Sequence, residues 1–176
     1  LEGAHPSPDG QAIDAEIAHR VLELHVVAEY FESLGTDEST APGEQLSRDP
    51  ALDFAVLVID EIDEGTPVIP VLEPADDTLE VGDHLLSVGY GRAVQLDEPG
   101  SNFDGNRRSI DITITALDAG VIEYDQEHGG ICKGDSGGPA LVRVGAEELL
   151  AGVHSRVDWD ASGEVTCSRQ AFSGRL

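Results

Sequence analysis

Basic residues are scarce in this sequence: Lys and Arg total 10 against 35 Asp and Glu, and the net charge is −25. Nucleic acids and anionic membrane surfaces are bound through basic patches, which so few cations do not supply. We therefore expect neither a nucleic acid nor a membrane as a partner. The chain also has no run of 18 apolar residues, so the sequence predicts no membrane-spanning helix.

Cysteine is nearly absent as well. The two cysteines, Cys132 and Cys167, permit one disulfide, but their number alone does not show that they pair. Glycine and proline are plentiful, at 20 and 9 residues, and favour an all-β fold with many turns over a helical one. The chain opens with Leu1 and not with Met, so we interpret it as a processed or excised piece.

Short apolar segments separated by turns run along most of the chain. Residues 20–27 are apolar enough for a strand, although 13–30 also fits a helix, and residues 52–59 form an apolar run that predicts a buried strand. Residues 108–117 alternate between apolar and polar side chains, the pattern of a half-buried strand. Further short strands are predicted at 85–91, 121–124, 140–144 and 149–153. This succession of strands is typical of a barrel or a sandwich.

Residues 134–139, with the sequence GDSGGP, carry the most specific chemical signal. A serine between glycines on a tight turn is exposed as a nucleophile, because glycine lets the backbone adopt conformations that other residues avoid. The amides on either side of the serine can then point at one spot, where the oxyanion of an acyl-transfer intermediate would form. The motif therefore predicts acyl transfer at Ser136.

A serine needs a base, and the base needs an acid that orients it, so the order of the three residues distinguishes the candidate folds. An α/β-hydrolase would need an acid and then a histidine after Ser136, but only His154 follows, with Glu147 and Glu148 just before it. We therefore reject that arrangement on order and on length.

Two other orders remain. A subtilisin-like order could use Asp53 with His84 or His128, although the flanking residues do not support it. The order histidine, aspartate, serine is met by His5, Asp53 and Ser136. His19 and His25 are rival bases, each nearer to Asp53 in the sequence.

The GDSGGP motif, preceded by Cys132 and Lys133, resembles the nucleophile segment of the chymotrypsin/trypsin-like serine proteases. The segment that begins at Asp53 is similar to the Asp-Ile-Ala-Leu-Leu sequence that carries the catalytic aspartate of that family. The segment Leu1–His5 resembles the Leu-Thr-Ala-Ala-His sequence of its catalytic histidine, but Pro6 replaces the usual cysteine.

The resemblance implies an all-β fold of two antiparallel Greek-key barrels. It covers nearly the whole chain, but the beginning of the catalytic domain and its terminal helix are not represented. We therefore expect a domain trimmed at both ends, with the first barrel incomplete. Residues 1–75 would belong to the N-terminal barrel and 76–176 to the C-terminal barrel, with an acidic linker at 75–80.

The function that the resemblance implies is that of a secreted serine endopeptidase acting through an acyl-enzyme. Ser136 would attack, His5 would move the proton, Asp53 would orient the histidine, and the amides of Gly134 and Ser136 would hold the oxyanion. The expected substrate is a protein or peptide, without a metal or organic cofactor, and the expected state is a monomer. A non-catalytic homologue that binds protein partners is the alternative.

Other residues take roles from the same resemblance. Cys132 and Cys167 would form the disulfide beside the specificity pocket. Asp135 would pair with a new N-terminal ammonium after zymogen cleavage. Ser155 would support Asp53 and lie on the strand that receives the substrate backbone.

The specificity pocket would have Gly130, six residues before Ser136, at its floor and Val157 at its wall. Because Gly130 carries no charge, a basic side chain would enter without a counter-ion. A branched residue at 157 would narrow the entrance. The sequence therefore predicts a preference for small or medium apolar residues before the scissile bond.

Overall fold

The computed structural model describes residues 20–29, 49–62, 64–92, 105–127, 129–157, 167 and 170–176. Almost all of its regular structure is β. The eight strands are β1 Val21–Val26, β2 Ala55–Ile59, β3 His84–Gly89, β4 Arg108–Leu117, β5 Val121–Asp125, β6 Pro139–Val144, β7 Glu147–Val157 and β8 Gln170–Arg175. A short 3₁₀ helix, Pro50–Leu52, precedes β2. No helix in these ranges is long and apolar enough to cross a membrane.

Strands β3 to β8 form a closed antiparallel barrel in the order β3-β4-β5-β8-β7-β6. The alternation predicted for β4 is confirmed, since Ile112 and Ile114 are buried while Asp111 and Thr115 on either side of them face solvent. They pack with apolar residues from the other strands: Leu85, Ile122, Tyr124, Ala140, Ala151 and Ala171. The barrel core therefore follows from the period-two pattern of the sequence.

Strands β1 and β2 form a separate antiparallel pair, in which Leu24 lies opposite Leu57. The strand predicted at 20–27 is confirmed, but the buried strand predicted at 52–59 is wrong in two respects. Residues 50–52 form the 3₁₀ helix, and the side chains of β2 are largely exposed, with Leu57 at 56%. A sheet of two strands does not cover both of its own faces, and a run of apolar residues does not reveal how many strands surround it.

The segment before β3 packs along the barrel. Leu72 is buried in the barrel core, and its N–H donates to the carbonyl of Leu150. Asp77 forms a largely buried ion pair with Arg175, whose Nε donates to the carboxylate at 2.8 Å. These contacts involve residues on both sides of position 75, where the sequence predicts the domain boundary, and that boundary stays a prediction.

Strand β7 contains a bulge that bears on the site. His154 pairs with Ser173 and Arg156 pairs with Phe172, so Ser155 is an extra residue that faces no partner of its own on β8. A bulge of this kind bends the strand and redirects the side chain. The backbone and side chain of Ser155 are thereby turned out of the regular ladder.

Candidate functional site

The loop from the end of β5 to the start of β6 carries Ser136 on an exposed tight turn. Gly134 has φ +99°, a conformation open to glycine but rarely to other residues. The turn is attached to β7 by two backbone bonds, from Gly137 N–H to the His154 carbonyl and from His154 N–H to the Gly138 carbonyl. Strand β7 therefore fixes the position of Ser136.

Ser155 connects Ser136 to Asp53. The Ser136 hydroxyl donates to the Ser155 carbonyl at 3.1 Å, and the Ser155 hydroxyl donates to Asp53 Oδ2 at 2.6 Å. Asp53 follows the 3₁₀ helix and is half-buried between it and β2. Residues 53, 136 and 155 are far apart in the sequence, and the fold brings all three to one place.

Asp53 and Ser136 face a common cleft of about 530 Å³ between the two sheets. Its lining is mostly apolar: Val26, Val27, Asp53, Phe54, Ala55, Ser136, Gly137, Val153 and His154. An apolar lining lowers the local dielectric constant and so strengthens hydrogen bonds to a carboxylate. The cleft can therefore hold a small polar ring or part of a peptide between the acid and the serine.

The histidine proposed as base, His5, lies outside the described residues, as do the rivals His19 and His128. Two of the remaining candidates have other partners: His25 Nε2 lies 3.0 Å from Glu23, and His84 Nδ1 lies 3.2 Å from Thr113. The subtilisin-like pairing of Asp53 with His84 is therefore not present in the structure.

His154 is a buried histidine of the barrel that also borders the cleft. Its side chain is 1% exposed, with Nε2 2.7 Å from Ser87 Oγ and Nδ1 2.8 Å from Ser173 Oγ. The ring meets Tyr124 edge-on at 6.4 Å. Removal from water lowers the pKa of His154 to about 4, although the charge of Asp135 opposes this shift. The two serines flank a neutral imidazole that bridges opposite walls of the barrel.

This burial predicts a pH dependence of folding. The ring stays neutral in the folded protein down to about pH 4, whereas the unfolded chain takes up the proton near pH 6.5. The stabilising contribution is therefore complete above pH 6.5 and is lost as the pH falls toward 4, by about 3 kcal/mol. Urea unfolding of the protein and of His154→Gln between pH 7 and pH 4.5 measures it. The variant should lose less stability over this interval, and parallel profiles would contradict the prediction.

The Asp135 carboxylate anchors the turn that carries Ser136. Its Oδ1 accepts the N–H of Gly91 at 2.7 Å, and its Oδ2 accepts the N–H of Cys132 at 2.8 Å. A Cβ on Gly91 would collide with this carboxylate. The sequence predicts an ammonium as the partner of Asp135, whereas the partners in the structure are two backbone amides. Asp135 thus joins the nucleophile loop to the end of β3.

The predicted disulfide between Cys132 and Cys167 is present, with the Cα atoms 5.1 Å apart. It ties the nucleophile loop to the segment that precedes β8. In the described part of the chain, the N–H groups of Gly134 and Ser136 have no backbone acceptor. The role predicted for these two groups is that of oxyanion donors. That role stays a prediction.

The residues predicted for the specificity pocket are Gly130 in the nucleophile loop and Val157 at the end of β7, both half-buried. Sequence reasoning did not identify Gln126. Its side chain is 1% exposed, and its carboxamide lies where a Cβ on Gly130 would have to be. The only sequence signal for it was a glutamine two positions after the strand predicted at 121–124, which by itself indicates nothing.

The strand order, the disulfide and the nucleophile turn define an all-β protein of the serine protease class. The family model described as Trypsin matches residues 25–168, more than four fifths of the chain, and the chain belongs to the trypsin family. Membership implies protein or peptide substrates. A search of the curated proteins found no significant match.

Proposed function

We propose that this protein is a serine endopeptidase that cleaves peptide bonds through an acyl-enzyme. The observation that carries the proposal is the double role of Ser155, whose hydroxyl bonds Asp53 while its carbonyl bonds the Ser136 hydroxyl. Asp53 and Ser136 both line one mostly apolar cleft, which supports roles for them as acid and nucleophile. A base inserted between them would complete a triad.

In the proposed mechanism, His5 is that base. Its ring accepts the Ser136 proton while Ser136 Oγ forms a bond to the scissile carbonyl carbon, and the carbonyl electrons move to the oxygen. The N–H groups of Gly134 and Ser136 stabilise the resulting oxyanion. Collapse of the intermediate breaks the C–N bond, and the histidine returns the proton to the leaving amine. Water then hydrolyses the acyl-enzyme by the same route, while Asp53 orients the imidazole throughout.

We also propose a location and an oligomeric state for the protein. A disulfide persists in oxidising compartments, so the bond between Cys132 and Cys167 supports a secreted or extracytoplasmic location. The large negative charge supports solubility and a monomeric state.

A fluorophosphonate probe tests the function directly, because it reacts only with an activated serine. We expect the folded protein to be labelled in the peptide that contains Ser136, and heat-denatured protein to remain unlabelled. Labelling at Ser136 together with hydrolysis of casein supports the endopeptidase. A folded protein that is not labelled would be the non-catalytic, partner-binding homologue instead.

The position of Asp135 yields a prediction about catalysis. Gly91→Ala places a Cβ on the Asp135 carboxylate and should displace the turn that carries Gly134 and Ser136. Because misplacing an oxyanion donor costs on the order of 10²–10³ in kcat, we expect a loss of that size with the fold retained. Gly145→Ala in the β6–β7 turn is the control, since a Cβ there meets no neighbouring atom, and its φ of +63° strains an alanine only at a place away from the site. Equal turnover of the two variants would refute the role of Asp135.

A further inference from the structure

Gln126 carries an unexplained buried carboxamide. The residue directly follows β5 and is 1% exposed, and in the described part of the chain neither Oε1 nor Nε2 has a hydrogen-bond partner. Native proteins rarely leave both ends of a buried amide unpaired, because water has been removed and nothing has replaced it. A group with a free donor and a free acceptor side by side is suited to bind a ligand that has both.

The carboxamide lies at the predicted floor of the specificity pocket. A Cβ built on Gly130 would overlap Oε1 of Gln126 and would lie 2.6 Å from its Cδ and 2.7 Å from its Cγ. The space in which a side chain at the floor position would begin is thus filled by the amide of Gln126. The disulfide at Cys132 and the bond from the Cys132 N–H to Asp135 hold this part of the loop in place.

We propose that Gln126 is a specificity-determining residue, and that the pocket takes a primary carboxamide, the side chain of Gln or Asn, before the scissile bond. This inference rests on the proposed endopeptidase function. Two primary amides pair through two complementary hydrogen bonds, each supplying one donor and one acceptor. The pairing would satisfy both free atoms of Gln126 at once.

Other substrate side chains fit this floor less well. An apolar side chain would leave both amide atoms unpaired, and a charged one would lose its hydration against a neutral group. The small apolar preference expected from Gly130 alone is therefore replaced. The carboxamide is shielded from solvent in this structure, so the substrate side chain must open the pocket as it enters. The buried Ile131, next to Gly130, would keep water from competing for the amide.

The test compares kcat/KM for peptides that differ only in the residue before the scissile bond: Gln, Asn, Leu, Ala, Glu and Arg. We expect Gln or Asn to exceed the others by about 100-fold, since sites that hydrogen-bond a substrate group discriminate strongly against its absence. Gln126→Met should lower kcat/KM on the carboxamide peptides by a similar factor and leave the Leu peptide unaffected or faster. The control is Gln170→Met, because Gln170 is exposed and its amide already donates to Glu123. The substrate preference of this variant should match that of the unmodified protein.

A binding measurement separates this inference from the proposed function. Calorimetry with Ser136→Ala and product-type peptides ending in Gln or Leu reports pocket preference without any turnover. Tighter binding of the Gln peptide, lost in Ser136→Ala/Gln126→Met, supports the inference even if hydrolysis is never observed. Probe labelling at Ser136 with equal binding of the two peptides, or with a preference for Leu or Arg, overturns the inference and leaves the endopeptidase intact. Binding of neither peptide also overturns it.

Discussion

We expect replacement of Ser136 by alanine to remove the proposed hydrolysis of peptides and esters almost completely. In triad enzymes the loss of the nucleophile costs on the order of 10⁶ in turnover, because the residues of a triad act as a unit. The Ser136 hydroxyl makes one hydrogen bond in the described structure, to the Ser155 carbonyl, and its side chain is exposed. The fold should therefore survive the substitution with little change in stability.

The measurement is hydrolysis of a thioester substrate by Ser136→Ala and by Ser155→Ala, with circular dichroism to verify folding. Ser155→Ala removes the hydroxyl that bonds Asp53 but keeps the carbonyl that bonds Ser136. It should reduce the rate by far less than Ser136→Ala does. Retention of more than a trace of activity in Ser136→Ala would show that another residue is the nucleophile.

The second large loss of turnover is expected on substitution of Asp53. Asp53→Asn keeps the size of the side chain but replaces the carboxylate that accepts the Ser155 hydroxyl, and it would favour the wrong tautomer of the catalytic histidine. In this class of enzyme that change lowers kcat by about 10⁴, a value established for the catalytic aspartate of chymotrypsin-type proteases. We expect a loss of the same order, with KM nearly unchanged.

Asp111→Asn serves as the matched control, because Asp111 is exposed on the outer face of β4. Its kcat should equal that of the unmodified protein. Should Asp53→Asn retain at least a tenth of the activity, Asp53 would be only a structural partner of Ser155. Restored activity at high pH would instead indicate that the base is present and that only its orientation depends on Asp53.

The sequence predicted the barrel well, because its signals are local. The alternating isoleucines of β4 face the core, and the glycines around Ser136 form the expected turn. The pairing of Ser155 with Asp53 spans 102 residues, and no local pattern encodes it. It was expected only because neighbouring segments resemble those of a known family.

The errors have physical causes. The apolar side chains of β2 predicted a buried strand, but a sequence does not show how many strands surround it. The side chains of β2 are in fact largely exposed. The sequence carries no local signal for the contacts of His154, because Ser87 and Ser173 come from other strands. The role proposed for Gln126 depends on the space that Gly130 leaves for its side chain. That space is a property of two backbone segments in three dimensions.

The extra residue in β7 makes this strand more sensitive to changes in length than to changes in composition. Deleting Ser155 would leave Arg156 opposite Phe172 and restore a regular ladder with β8, but it would remove the hydroxyl that donates to Asp53 and the carbonyl that accepts from Ser136. Asp53 and Ser136 would then lose the hydrogen bonds that connect them through Ser155, while the guanidinium of Arg156 would keep its contact with the Phe172 ring at 4.4 Å. Single-residue deletions between 153 and 157 should therefore give a protein with well-paired strands and no working site. Conservative substitutions in the same stretch should be tolerated.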